Sequence, residues 1–177
     1  MPDRIVLGAS SQQAADQLKQ VYAEPIGQGV PVLVMDLETA ELVKMSANAF
    51  LATRLSFINA LAEVCEATGA DVAALAGALG YDERIGRRFM TPGLGYGGGC
   101  LPKDIRAFSA VAAELGIGSL ATLLTEVDAI NMRCRSRTVE LAREVTGGSL
   151  AGRRVGKRFA ESVWIDAIGN HGGARAR

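Results

Sequence analysis

The chain has 177 residues, 49% hydrophobic and 21% charged, the make-up of an ordinary soluble domain able to bury one real core. Its 19 basic residues balance 19 acidic ones, which removes any global attraction to nucleic acid or an anionic membrane. The sequence reads without a signal peptide or a bilayer-spanning apolar run, and Cys65, Cys100 and Cys134 lack disulfide or metal-ligand spacing. A reducing cytoplasm is therefore the expected setting, and no metal is expected.

Residues 5–7 read as a short strand, 11–22 as a polar helix and 32–35 as a second, buried strand. A long helix starts at 36–39, where Asp36, Glu38 and Glu41 suit its positive end, and runs to Thr68 before Gly69. At ~1.5 Å per residue that is about 45 Å, more than one small domain needs. Asp71 caps a short Ala-rich helix that stops at Gly80. After a loop, helices are expected over 103–115, ending at Gly116, and over 119–145, closed by Gly147-Gly148. From Gly156 onward no strand is expected, and residues 170–177, rich in Gly and Arg, read as disordered. His171, in that tail, carries no expected catalytic or metal role.

The decapeptide Gly95-Tyr96-Gly97-Gly98-Gly99-Cys100-Leu101-Pro102-Lys103-Asp104 sets a lone cysteine in a glycine-rich turn, with Lys and Asp three and four residues on. A thiol attacks only as thiolate, a form that a nearby ammonium and the amides opening a helix both favour. Glycines let a substrate approach the backbone closely. On residue types alone, a nucleophile and a mere helix start stand level. On the long helix Glu41, Lys44 and Asn48 fall at i, i+3 and i+7 and share one face. By itself such a pair is more often a snorkelling surface group. Arg84, Arg87 and Arg88 make a basic cluster, by itself more often a solvated surface, although guanidinium also suits phosphate oxygens. Gly93-Leu94-Gly95-Tyr96-Gly97-Gly98 satisfies the dinucleotide fingerprint Gly-x-Gly-x-x-Gly, but it follows no buried strand and is set aside.

The run from Gly93 to Asp104 closely resembles the active-site signature of the UDP-glucose/GDP-mannose dehydrogenase family, Gly-x-Gly-(Phe/Tyr)-Gly-Gly-x-Cys-(Phe/Leu)-Pro-Lys-Asp. Thr39-Ala40-Glu41-Leu42-Val43-Lys44-Met45-Ser46-Ala47-Asn48 resembles its Thr-Ala-Glu-x-x-Lys-x-x-x-Asn segment, and Arg84-Ile85-Gly86-Arg87-Arg88-Phe89 its Arg-Ile-Gly-x-x-Phe segment. The resemblance covers residues 2–155. It implies a mostly α fold: a strand-helix-strand remnant of a Rossmann domain over 1–36, a central helical dimerisation domain over 37–148, and an aberrant, truncated or frame-shifted start of a UDP-binding domain, expected to be disordered, over 149–177. The chain is thus expected to be a portion of a longer enzyme, inactive alone and holding no NAD seat of its own.

The implied reaction oxidises the C6 alcohol of UDP-glucose to UDP-glucuronate with two NAD⁺, through a thiohemiacetal and a thioester on Cys100. The alternatives are GDP-mannose or UDP-N-acetylmannosamine as substrate, or a non-catalytic helical dimerisation module. By resemblance Lys44 stabilises the oxyanion, Asn48 orients water or donates a hydrogen bond, and Asp104 positions water. Arg84, Phe89, Tyr96, Gly97, Lys103 and Glu41 are the implied substrate contacts, Arg84 serving a neighbouring subunit. The family's carboxylates and cofactor loop have no match here, Ala60 stands in place of a frequent Glu, and Leu101 in place of a frequent Phe. A homodimer is expected through residues 38–68, because Phe50, Leu51, Leu55, Phe57, Ile58, Leu61 and Val64 cover too much of the helix for one small domain to bury.

Overall fold

The computed structural model describes residues 1–158, 162–167 and 174–175, with side chains described as far as Arg153. It is mostly helical and divides into two compact units, Met1–Phe50 and Leu51–Arg177, the division falling inside a helix.

In the first unit, β1 (Ile5–Gly8) pairs in parallel with β2 (Val32–Met35), Ile5 opposite Val32 and Leu7 opposite Val34. A parallel pair needs a crossover, supplied by α1 (Gln12–Val21) and α2 (Ala23–Gly27). Ser11 starts α1 by accepting the Ala14 amide on its hydroxyl at 3.1 Å. Ile5, Leu7 and Val30 form a small core joined by Leu18, Ile26 and Val32. β2 is not the buried strand expected from its apolar run: it has one neighbour in a two-stranded sheet, and Leu33 and Val34 are exposed. β1 ends against the next helix so closely that a Cβ on Gly8 would lie 2.8 Å from the Ala40 methyl.

That helix, α3 (Leu37–Thr68), opens on Asp36, whose carboxylate accepts the Thr39 amide at 2.7 Å and the Thr39 hydroxyl at 2.9 Å. Those bonds, the amide's first, hold the Asp36 carboxyl below the usual carboxylate range. α3 ends where Gly69 turns left-handed and the Ala70 amide reaches back to the Cys65 carbonyl at 2.9 Å.

The second unit continues through α4 (Val72–Leu79), α5 (Leu101–Glu114) and α6 (Gly118–Val145). Asp71 caps α4 through the Ala73 and Ala74 amides. α5 and α6 pack together. Ile105 on α5 and Leu124 and Val127 on α6 are buried, as are Ile58 and Ser56 on α3, whose hydroxyl donates to the Val127 carbonyl at 2.8 Å. Each such large apolar side chain contributes about 1.5–3 kcal/mol by leaving water. Across the α5–α6 seam Arg106 Nε meets Asp128 Oδ2 at 2.9 Å, and the Ser109 hydroxyl donates to the Ala121 carbonyl. α6 closes as α3 does, with Gly147 left-handed and the Gly148 amide on the Arg143 carbonyl.

Beyond Gly156, where no strand is expected, the chain forms one: β3 (Arg153–Arg158) pairs antiparallel with β4 (Ser162–Ala167), Val155 opposite Ile165. The Val-Trp-Ile run at 163–165 has the β-branched and aromatic composition that favours a strand. Of the tail read as disordered, residues 174–175 pair with β4 as β5, while residues 170–173, with His171, and 176–177 lie outside the described residues. Among the described residues no helix is long and apolar enough to cross a membrane.

Candidate active site

α5 begins Leu101-Pro102, and proline belongs at a helix start because the amide it lacks would have no partner there. Cys100 is the N-cap residue. Its side chain makes no capping bond and its thiol is exposed, while its carbonyl accepts the Asp104 amide at 2.9 Å. Cys100 therefore stands at the start of a 14-residue helix whose first amides it leaves uncapped. The Asp104 side chain is largely covered, and the exposed Lys103 ammonium lies 3.8 Å from its Oδ1.

The turn leading to Cys100 has no strand to pair with and is held by side chains instead. Asn59 on α3 accepts the Gly93 amide on Oδ1 at 2.7 Å. Asn131 on α6, 1% exposed, accepts the Tyr96 amide at 2.7 Å and donates to the Tyr96 carbonyl at 3.1 Å. Arg135, one helical turn on, donates Nη2 to the same carbonyl at 3.0 Å. The turn presses on these groups: a Cβ on Gly95 would lie 2.1 Å from Asn131 Oδ1, and one on Gly97 2.9 Å from Arg135 Nη2. The Tyr96 ring points inward and is buried, and burial, with the Asp128 charge second, pushes its phenol up to about 12. Tyr96 thus anchors the turn through both its backbone and its ring.

Gly93–Gly98 is a poor dinucleotide seat in three dimensions too, since Gly95 and Gly97 are used against Asn131 and Arg135 rather than left open to a pyrophosphate. The turn after β1, Ala9-Ser10-Ser11, leads into α1 through a serine cap and has no glycine pair. Neither turn therefore fits the pyrophosphate of NAD. Nor do the described residues gather three His, Cys, Asp or Glu side chains for a metal.

In the first unit, Lys44 Nζ donates to Asn48 Oδ1 at 3.1 Å, so this predicted pair does share a face of α3. Asn48 is buried and Glu41 exposed. In the second unit, the loop between α4 and α5 holds Arg84 and Phe89. Arg84 is bound by Asp82 through Nε at 3.0 Å and Nη2 at 2.6 Å, and the carboxylate is held low mainly by this guanidinium. Arg54 Nη2 fastens the same loop by donating to the Gly86 carbonyl at 2.7 Å. Phe89, half exposed, sits at φ +58, a left-handed conformation costly for an aromatic residue.

Four residues that shape the site carry no role in the sequence reading: Asn59, Asp82, Asn131 and Arg135. Asn131 was the most legible of them, because it occupies the i+7 place of the buried stripe begun by Leu124 and Val127, where an amide has to find a partner. Arg135 and Asp82 left no such signal.

Comparison with known proteins identifies the family. The chain is 40% identical over 154 residues to UDP-glucose 6-dehydrogenases of Rickettsia typhi and Pseudomonas aeruginosa, covering 87% of this chain and 35% and 34% of theirs. Its structure superposes on a UDP-glucose dehydrogenase from the hyperthermophilic archaeon Pyrobaculum islandicum with a TM-score of 0.75 and 38% identity, over 82% of this chain and 33% of that one. The chain thus spans about a third of the length of these relatives. The model of the UDP-glucose/GDP-mannose dehydrogenase family central domain matches residues 38–133, a stretch that includes α4, α5 and the cysteine turn, and the chain belongs to that family.

Proposed function

We propose that the chain is a portion of a cytoplasmic UDP-glucose 6-dehydrogenase in which Cys100 is the nucleophile. The observation that carries this reading is an exposed thiol at the N-cap of α5, at the end of a turn fixed by Asn59, Asn131 and Arg135. UDP-glucose is preferred as substrate because the relatives described above act on it by name.

In this scheme the Cys100 thiolate adds to the aldehyde carbon at C6, forming a C–S bond while the carbonyl π pair moves to oxygen. Lys44 and Asn48 are assigned to that oxyanion, and Asp104 to the water that later cleaves the C–S bond of the thioester, releasing carboxylate and thiolate. NAD⁺, when bound to the whole protein, supplies hydride acceptance, two hydrides being lost between alcohol and acid. The described residues offer it no seat, so the chain alone is expected to be inactive. Arg84 is assigned to the diphosphate, which would have to displace Asp82 from its guanidinium. Glu41, Phe89, Gly97 and Lys103 are assigned to the sugar's surroundings, and Tyr96 holds the turn that lines it. A free thiol nucleophile must be kept reduced, which suits the cytoplasm.

A homodimer is part of the same reading. Along α3, Phe50, Phe57 and Val64 recur at intervals of seven and are 63%, 52% and 54% exposed, the apolar stripe that a second copy would cover.

Iodoacetamide labelling read by mass spectrometry tests the nucleophile. At neutral pH Cys100 should react faster than Cys65, which is buried, and Cys134, whose thiol burial pushes up. Equal rates, or Cys100 slowest, would remove the basis for the assignment.

A further inference from the structure

The Asn131 carboxamide is related to Tyr96 as one β-strand residue is to the residue opposite it. In an antiparallel pair two residues exchange both N–H···O bonds. Here one planar side chain does the same, accepting from the Tyr96 amide at 2.7 Å and donating to the Tyr96 carbonyl at 3.1 Å. A carboxamide carries a donor and an acceptor side by side in one plane, the spacing this exchange needs. Aspartate lacks the donor at neutral pH, leucine lacks both, and glutamine is one methylene too long for a turn this close. Gly95, at φ +81, is the complementary requirement, since any Cβ there would overlap Oδ1.

We propose that Asn131 is a positioning residue for Cys100: from a core position on α6 it fixes the backbone of Tyr96 on both polar atoms and so sets where the turn delivers the thiol to the start of α5. Arg135 completes the grip from the solvent side, on the same carbonyl. The anchor lies four residues before the cysteine, and the Tyr96 ring is buried beneath it, so the stretch from Gly97 to Gly99 has one end fixed at Tyr96 and the other at α5. This inference rests on Cys100 being the reactive thiol, and the test separates the two.

The full 177-residue chain and its Asn131→Ala and Arg135→Ala variants are compared by amide hydrogen exchange and by Cys100 alkylation against a free cysteine peptide in the same tube. In Asn131→Ala the Tyr96 amide should exchange at least ~10-fold faster while Gly93, held by Asn59, keeps its protection. Cys100 alkylation should fall severalfold toward the peptide's rate. A general loss of stability would move both amides together. Arg135→Ala, a surface change that leaves the core intact, should give a smaller fall of the same kind and decides the matter if Asn131→Ala does not fold. Unchanged alkylation in folded variants overturns the positioning role but leaves Cys100 as nucleophile. A parent chain whose Cys100 reacts no faster than the peptide overturns both.

Discussion

Two glycines in the cysteine turn have nearly the same backbone conformation and very different surroundings, which makes alanine substitution a controlled experiment. Gly95 and Gly98 lie at φ +81 and +78. An alanine at either pays about 1–2 kcal/mol for the left-handed conformation. At Gly98 nothing lies within 4 Å of the new methyl, so that is the whole cost. At Gly95 the methyl would sit 2.1 Å from Asn131 Oδ1, and the carboxamide must leave. Its departure strands the Tyr96 amide and the buried Asn131 side chain, while Arg135 keeps its bond to the Tyr96 carbonyl, at about 1–3 kcal/mol for each group left unpaired. Even with partial relief by water the difference between the variants should be about 2–5 kcal/mol, a large share of the ~5–15 kcal/mol that holds a domain together. Urea denaturation followed by far-UV circular dichroism measures it, provided the slopes of the transitions agree. Equal destabilisation by Gly95→Ala and Gly98→Ala would refute the close contact and, with it, the account of why the turn needs Asn131.

Three other outcomes are expected. The chain incubated with NAD⁺ and UDP-glucose, GDP-mannose or UDP-N-acetylmannosamine should produce no NADH absorbance, and turnover that Cys100→Ala abolishes would contradict the absence of a dinucleotide seat. Phe57→Arg, at an exposed point of the α3 stripe, should shift sedimentation toward the monomer without loss of helicity, whereas an unchanged mass would exclude that face as the interface. Tyr96 ionises near 12 in the folded chain but near 10 once unfolded, so the unfolded state releases its proton first as alkali is added. Its contribution to stability is present below about pH 10 and is lost as pH rises toward 12; Tyr96→Phe should flatten that alkaline decline, and an identical decline in both proteins would argue against burial as the cause.

The features legible in the sequence are those whose physics is local. Ser11 and Asp71 announce their helices because a short side-chain oxygen satisfies amides two or three residues on, and Gly69 and Gly147 end theirs because a left-handed residue is wanted there. Lys44 and Asn48 could be placed on one face from helical spacing alone. The errors have equally specific causes. Val32–Met35 is apolar throughout, and a continuous apolar run does not say how many neighbours a strand has; with one neighbour, its middle residues are exposed. α2 is five residues long with a proline inside it, too short to leave a period. Arg153–Arg158 carries a glycine and four charges that hide a strand, although its pairing partner Ser162–Ala167 is the better strand former. The grip of Asn131 on Tyr96 joins residues from different elements, and no spacing rule connects them.

The contact between Gly8 and Ala40 gives the alanine of the Thr-Ala-Glu segment a meaning that has nothing to do with chemistry. The end of β1 and the first turn of α3 share a single methyl's worth of space, all of it contributed by position 40. Gly8 is already the smallest residue there is, so position 40 cannot grow by taking volume from its partner. A methyl on Gly8 would have to push the helix off the strand, and the turn at Asp36 that joins them is pinned by its own capping bonds. The threonine before Ala40 ties the helix start to Asp36; the alanine is a spacer that meets the backbone it faces.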